Sequence, residues 1–109
     1  MAKKSDSILS NGAAYHTPVL YAEALEALQI TPGGVYVDCT FGGGGHSKGI
    51  LEQLNQQGKL YAFDQDKEVQ ANVFPDDRLV FIPENFQHLY RFLRFYNALP
   101  VDGILADLS

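Results

Sequence analysis

Apolar positions along this chain alternate between a period near 3.6 and a period near 2, and the switches mark its elements. Tyr21, Leu25 and Leu28 recur at i, i+4 and i+7 and predict a helix. Thr17 suits its N-cap, and Pro18 suits the first helical position, where its missing N–H would be unpaired anyway. Pro32-Gly33-Gly34 ends that element. Val35–Thr40, β-branched and aromatic between glycines, reads as a buried strand. After Gly42–Gly45 the helical period returns over His46–Gln56, with Ile50, Leu51 and Leu54 on one face. Gly58 then stands where a helix C-terminus favours a left-handed residue. Lys59–Asp64 is a second strand, Lys67–Val73 a short helix stopped by Pro75, and Arg78–Ile82 a third strand ended by Pro83. Asn85 can cap a helix running to about Tyr96, with Phe86, Leu89, Tyr90 and Leu93 on one face. Val101–Asp107 is a fourth strand. Residues 1–14 are polar and small and read as a disordered arm.

A helix followed by β-α-β-α-β-α-β predicts an α/β fold with a parallel sheet of about four strands and right-handed crossovers. Doubly wound nucleotide folds ordinarily continue for two or three more strands. Residues 15–109 therefore read as the N-terminal half of a truncated Rossmann-like domain. A half-sheet with incompletely covered faces is expected to be marginal or to self-associate.

Composition narrows the function classes. With 46% apolar residues the chain is globular rather than disordered. Eight Lys and Arg face 13 Asp and Glu, a net charge of −5, which argues against a free-standing non-specific nucleic-acid binder. The single cysteine, Cys39, excludes an internal disulfide framework and reads as a small buried residue. No apolar run is long enough for a membrane helix, and Met1–Ser7 has no signal-like apolar stretch behind it, so the expected address is the cytoplasm.

The chemistry concentrates between the first two strands. Val37-Asp38-Cys39-Thr40-Phe41 leads into four glycines and a helix. Glycines let a ligand approach the main chain, and the following helix aims unpaired N–H groups at the turn, which suits a phosphate or a carboxylate. The phosphate-loop pattern fails, because Ile50 stands where Lys is required. The dinucleotide pattern half fits: Gly42 and Gly44 match, but Ser47 replaces the last glycine. Asp64 ends the second strand 19 residues after Gly45, where a carboxylate can accept both hydroxyls of an adenosine ribose. An NAD-binding oxidoreductase fragment is therefore one reading of these residues.

Asp38 either faces a cationic ligand group and orders the loop, or stabilises a turn by accepting backbone N–H bonds. His46 opens the helix and can donate to a ligand; with His16 and His88 far away in sequence, no metal site is expected. Asp66 faces solvent or caps the next helix. Phe86 can pack on an adenine, although helical periodicity favours a core position. Asp107 lies at the strand end where ligands of open α/β sheets bind, as an ordinary strand-end carboxylate would. Arg91 and Arg94 read as a solvated face.

Taken together, His16-Thr17-Pro18-Val19-Leu20, Asp38 through Ser47, Phe63-Asp64-Gln65-Asp66 and Asp102 through Leu108 resemble the start of the MraW family, over about residues 15–108. That family comprises S-adenosylmethionine-dependent methyltransferases acting on the N4 amine of a cytosine in small-subunit ribosomal RNA. The resemblance implies a class I methyltransferase fold, with a helical domain later in the chain. It places Gly44, Gly45 and His46 at the methionine end of S-adenosylmethionine and Asp64 on the ribose hydroxyls. It also places Phe86 at the adenine and Asp107 near the reacting methyl. No catalytic residue is assigned. The sequence departs from the family after Leu108, where Ser109 stands in place of the usual glycine. The parts that would contact RNA are expected to be missing, and the isolated chain to lack turnover.

Overall fold

A computed structural model describes residues 18–106 of the chain. The expected N-cap at Thr17, the expected arm over residues 1–14 and the candidate Asp107 lie outside the described residues. Four helices and strands lead to the sheet's centre: α1 (Pro18–Leu28), β1 (Val35–Asp38), α2 (Gly45–Glu52) and β2 (Lys59–Phe63). A 3₁₀ segment, Lys67–Asn72, precedes β3 (Leu79–Ile82), and another, Phe86–His88, leads into α3 (Leu89–Phe95) before β4 (Gly103–Leu105). The strands form one parallel sheet in the order β3-β2-β1-β4. Chain progression therefore reverses at β1, and the switch point lies between β1 and β4.

Strand alternation splits the apolar residues between two cores. Tyr36 and Leu60 point to one face and pack with Ile50, Leu51 and Leu54 of the α2 region, while Leu25 and Leu28 of α1 close that layer. Val37, Tyr61, Phe63 and Ile82 point to the other face and pack with Leu93 of α3 and Ala98. Each fully buried aliphatic side chain here stabilises the fold by about 1.5–3 kcal/mol relative to exposure.

Every expected strand is present, each shorter than the expected span, and carboxylates bind backbone N–H groups beside the strand ends. Asp38 Oδ1 accepts from Thr40 N at 2.7 Å and turns the chain out of β1. Asp64 Oδ1 accepts from Asp66 N at 2.9 Å just beyond β2. Asp102 Oδ2 accepts from Val35 N at 2.8 Å, which ties the start of β1 to the residue just before β4 at Gly103.

Two helical expectations are corrected. α2 stops at Glu52 rather than near Gln56, and Gly58 has no left-handed conformation. Gly58 is required for space: a Cβ there would meet the Pro32 carbonyl oxygen at 2.7 Å and Leu54 at 2.8 Å. The end of α2 is held instead by Arg78, which donates from Nη1 to the carbonyls of Leu51 and Leu54, both at 2.7 Å. Asp76 grips the same guanidinium through Nε at 2.9 Å and Nη2 at 2.7 Å.

The second correction concerns the last helix. Asn85 does cap it, accepting from Gln87 N at 2.8 Å. Leu93 is buried and Leu89 packs against the same cluster, but Phe86 and Tyr90 are exposed, at 40% and 64%. Phe92 takes the place expected for them. The first turn is 3₁₀, at 120° per residue rather than 100°, so the apolar stripe rotates by roughly 60° over three residues.

Candidate functional site

The carboxyl ends of β1 and β2 carry the candidate chemistry, on the sheet edge where open α/β folds bind ligands. The turn after β1 is built on a buried carboxylate. Asp38 is fully buried and receives three donors: Thr40 N at 2.7 Å, Thr40 Oγ1 at 2.6 Å and Ser47 Oγ at 2.7 Å. Ser47 is also fully buried, one turn into α2. Asp38 thus ties the strand end to the helix start, which supports the turn-stabilising reading. Its burial leaves no surface for a ligand cation.

Glycines then expose the main chain. Gly44 has φ +88°, a left-handed conformation that disfavours any Cβ, and a Cβ there would meet Phe74 at 3.2 Å and Phe41 at 3.5 Å. Phe41 is buried below the turn, stacked on Phe74 and edge-on to Phe81, with ring centroids 6.3 and 5.1 Å away. By contrast, a Cβ on Gly43 or Gly45 would meet nothing within 4 Å. The result is a ledge of bare backbone with open space beside it. Gly44 offers no side chain to cap α2, and no side-chain cap hydrogen bond is made there. The first-turn N–H groups of α2 have no intrahelical acceptors and point toward that ledge.

Asp64 joins this ledge to β2. It is half-buried, and its Oδ2 accepts from Gly42 N at 3.1 Å while its Oδ1 accepts from Asp66 N. Asp66 is exposed and caps the next turn, accepting from Glu68 N at 2.9 Å. Asn72 closes the far side of the loop by donating from Nδ2 to the Gly42 carbonyl at 3.2 Å. Phe86 stands just past β3, next to Asn85, whose Nδ2 donates to Gln65 Oε1 at 3.1 Å. The three strand ends are therefore linked: Asp64 is bonded to Gly42 in the loop that leads into Gly44, Gly45 and His46, and Phe86 lies exposed at the neighbouring strand end.

Sequence reasoning passed over Thr40 and Asn72, and took Ser47 only as a missing glycine. The Asp-x-Thr pattern at a strand end was a usable turn signal for Thr40. Asn72 lies 30 residues from its partner and gave none. Cys39, expected to be buried, is only half-buried; burial first, and the Asp38 carboxylate second, push its thiol up to about 12, which disfavours the thiolate. Among the described residues no group of three or more His, Cys, Asp or Glu is arranged to hold a metal ion. Nor is any described helix long and apolar enough to cross a membrane.

Comparison with known proteins decides between the families that the sequence left open. The profile of the MraW methylase family matches residues 13–109, nearly the whole chain. The chain belongs to the MraW methylase family. It is 57% identical over 95 residues to ribosomal RNA small subunit methyltransferase H of Flavobacterium johnsoniae, covering 87% of this chain and 32% of that protein. The same-named protein of Porphyromonas gingivalis is 53% identical over 97 residues, covering 89% and 31%. The chain thus spans about a third of the length of the curated relatives it matches. Among solved structures, one described as a candidate rRNA methylase from Clostridium thermocellum superposes with a TM-score of 0.60. Its identity is 19%, over 65% of this chain and 45% of that one, so it speaks to the fold alone.

Proposed function

We propose that this chain is the cofactor-binding third of an S-adenosylmethionine-dependent methyltransferase that modifies the N4 amine of a cytosine in small-subunit ribosomal RNA. The observation that carries the reading is the joined pair of bare glycine ledge and half-buried Asp64, linked through Gly42 N at 3.1 Å, at the β1–β2 end of a family member's sheet. Family membership and the names of the relatives favour methyl transfer over hydride transfer, which glycine spacing alone left open.

The residues present fit the cofactor. The uncapped N–H groups of α2, at Gly45 and His46, suit the carboxylate of its methionine end. Each Asp64 oxygen accepts one backbone N–H and retains a lone pair for a ribose hydroxyl. Phe86, 40% exposed, offers an aromatic face at the adjacent strand end for the adenine. Asp107 would stand near the reacting methyl by family resemblance. When bound, the cofactor supplies an electrophilic methyl group on a sulfonium.

The remaining work is positional. A cytosine exocyclic amine is a poor nucleophile, because its lone pair is delocalised into the ring. The site must hold it in line with the methyl and accept its proton during or after attack. The base must also leave its stack to be reached. Asp107 is the one carboxylate of this chain proposed near the amine. The RNA surface is assigned to the parts of the relatives that lie beyond this third, and so the chain by itself is expected to give no turnover.

The test is a chimera. Residues 15–106 of this chain replace the matching segment of the Flavobacterium johnsoniae protein, and transfer of labelled methyl to undermethylated small-subunit RNA is measured. The chimera should methylate, its Asp64→Ala form should lose most activity at limiting cofactor, and the isolated chain should give none. A chimera indifferent to Asp64→Ala, or turnover by the isolated chain, would contradict the reading.

A further inference from the structure

Thr40 touches both the buried carboxylate and His46 at the ledge. Its Oγ1 lies 2.6 Å from Asp38 Oδ1 and 3.4 Å from His46 Nδ1. A hydroxyl carries one proton and two lone pairs. Fully buried Asp38 is the acceptor in each of its described contacts, with Thr40 N, Thr40 Oγ1 and Ser47 Oγ, and the short contact takes the Thr40 proton. Toward His46 the hydroxyl then has a lone pair and nothing to donate. The Thr40–His46 hydrogen bond forms only if Nδ1 carries the imidazole proton. Nε2 is then left unprotonated, as an acceptor.

Two neighbours hold the ring in that pose. Tyr21 of α1 lies against it, with ring centroids 5.3 Å apart at a 34° tilt. Ser47, the next residue along α2, anchors the same turn to the other oxygen of Asp38 at 2.7 Å. The carboxylate thus fixes both the backbone and the hydroxyl that His46 leans on.

From this geometry we infer that Thr40 is a positioning residue: it relays the Asp38 carboxylate to His46 and holds the imidazole in its Nδ1–H tautomer, which makes Nε2 the acceptor for a ligand N–H. An acceptor at Nε2 beside the uncapped N–H groups of α2 matches the two charged groups of an α-amino acid, its ammonium and its carboxylate. What Nε2 meets rests on the cofactor reading above. Which nitrogen carries the proton does not.

The experiment uses the 109-residue chain with ¹⁵N-labelled histidine, at a pH above the ordinary histidine range. Long-range proton–nitrogen correlation spectra identify the protonated nitrogen, and His46→Gln assigns the signals among His16, His46 and His88. Wild type should show a protonated Nδ1 and a bare Nε2 at His46. Thr40→Ser should keep that pattern, and Thr40→Val should lose it. A protonated Nε2 in wild type overturns the inference, and does so even if Thr40→Val fails to fold. An unchanged tautomer in a folded Thr40→Val also overturns it.

Titration with S-adenosylhomocysteine supplies the ligand arm. Thr40→Val should weaken binding about fivefold, the worth of one hydrogen bond, and Thr40→Ser should restore it. Binding of 5′-methylthioadenosine, which has the adenosine and thioether but no amino-acid end, should not change. Equal weakening of both ligands would mean that Thr40 serves the fold alone. A chain in the Nδ1–H tautomer that binds neither ligand would remove the cofactor reading and leave the relay standing.

Discussion

Removing the Ser47 hydroxyl should destabilise this chain far more than its size suggests. Ser47→Ala deletes one oxygen, yet that oxygen is fully buried and supplies the donor 2.7 Å from Asp38 Oδ2. Asp38 has no solvent contact, and its other two donors both serve Oδ1. After the substitution Oδ2 loses the donor it has among the described residues, and a lost hydrogen bond to a buried carboxylate costs about 1.5–3 kcal/mol. Ser-to-Ala removal elsewhere on the surface stays within about 0.5 kcal/mol. With a urea m-value of about 1 kcal/mol/M, typical of a small domain, the midpoint should fall by about 1.5–3 M. Asp38→Asn exchanges the carboxylate for an amide, a weaker acceptor. Ser47→Ala should therefore cost less in the Asp38→Asn background, giving a coupling of about 1–2 kcal/mol in the double-mutant cycle. Urea denaturation followed by circular dichroism measures all four proteins. A Ser47→Ala cost below about 0.5 kcal/mol, or additivity within about 0.3 kcal/mol, would refute the buried-carboxylate account of the turn.

Gly44→Ala should cost about 1–2 kcal/mol, because φ +88° is strained for any side chain and Phe74 lies 3.2 Å from the new Cβ; a thermal midpoint equal to wild type would contradict this. Arg78→Met removes the two 2.7 Å bonds to the Leu51 and Leu54 carbonyls and should cost about 1–2 kcal/mol, discounted for a side chain that is 25% exposed. Hydrogen bonds from Arg78 hold the Asp76 carboxyl below its usual range, so that pair contributes stability above the ordinary carboxylate range and loses it as pH falls through the lowered value. The acid limb of stability against pH should therefore flatten in Arg78→Met, and an unchanged limb would count against the pair. The Cys39 thiol, raised from 9.0 to about 12, contributes stability that is intact below pH 9 and lost as pH rises through 12. Its thiolate fraction at pH 8 should be about a thousandfold lower folded than unfolded, so iodoacetamide should label native chain slowly and urea-unfolded chain quickly; equal rates would contradict the burial.

Much of this architecture was legible in the residues because strand alternation is local. Tyr36 and Val37 already declare two faces, and both are filled as the period-2 rule requires. The ends of the first two strands were not legible, because apolar runs do not reveal where a carboxylate will capture a backbone N–H, as Asp38 and Asp64 each do. Tyr90 was misplaced for a geometric reason. A 3₁₀ turn of three residues ahead of α3 shifts the phase, and nothing in Phe86-Gln87-His88 announces it. Within the site, the glycine ledge and Asp64 were readable from type and spacing. The contact from Asn72 to Gly42 and the relay through Thr40 depend on how the chain folds back, and only the three-dimensional arrangement supplies them.

The account stands most directly on whether the ledge and Asp64 form a half-site for the cofactor. Calorimetric titration of this chain with S-adenosylhomocysteine, with NADH as the control, measures it. Saturable binding of the first alone, weakened about tenfold by Asp64→Ala through loss of the ribose hydrogen bonds, is the predicted result. Binding of NADH in preference, or S-adenosylhomocysteine binding that is indifferent to Asp64→Ala, would contradict it.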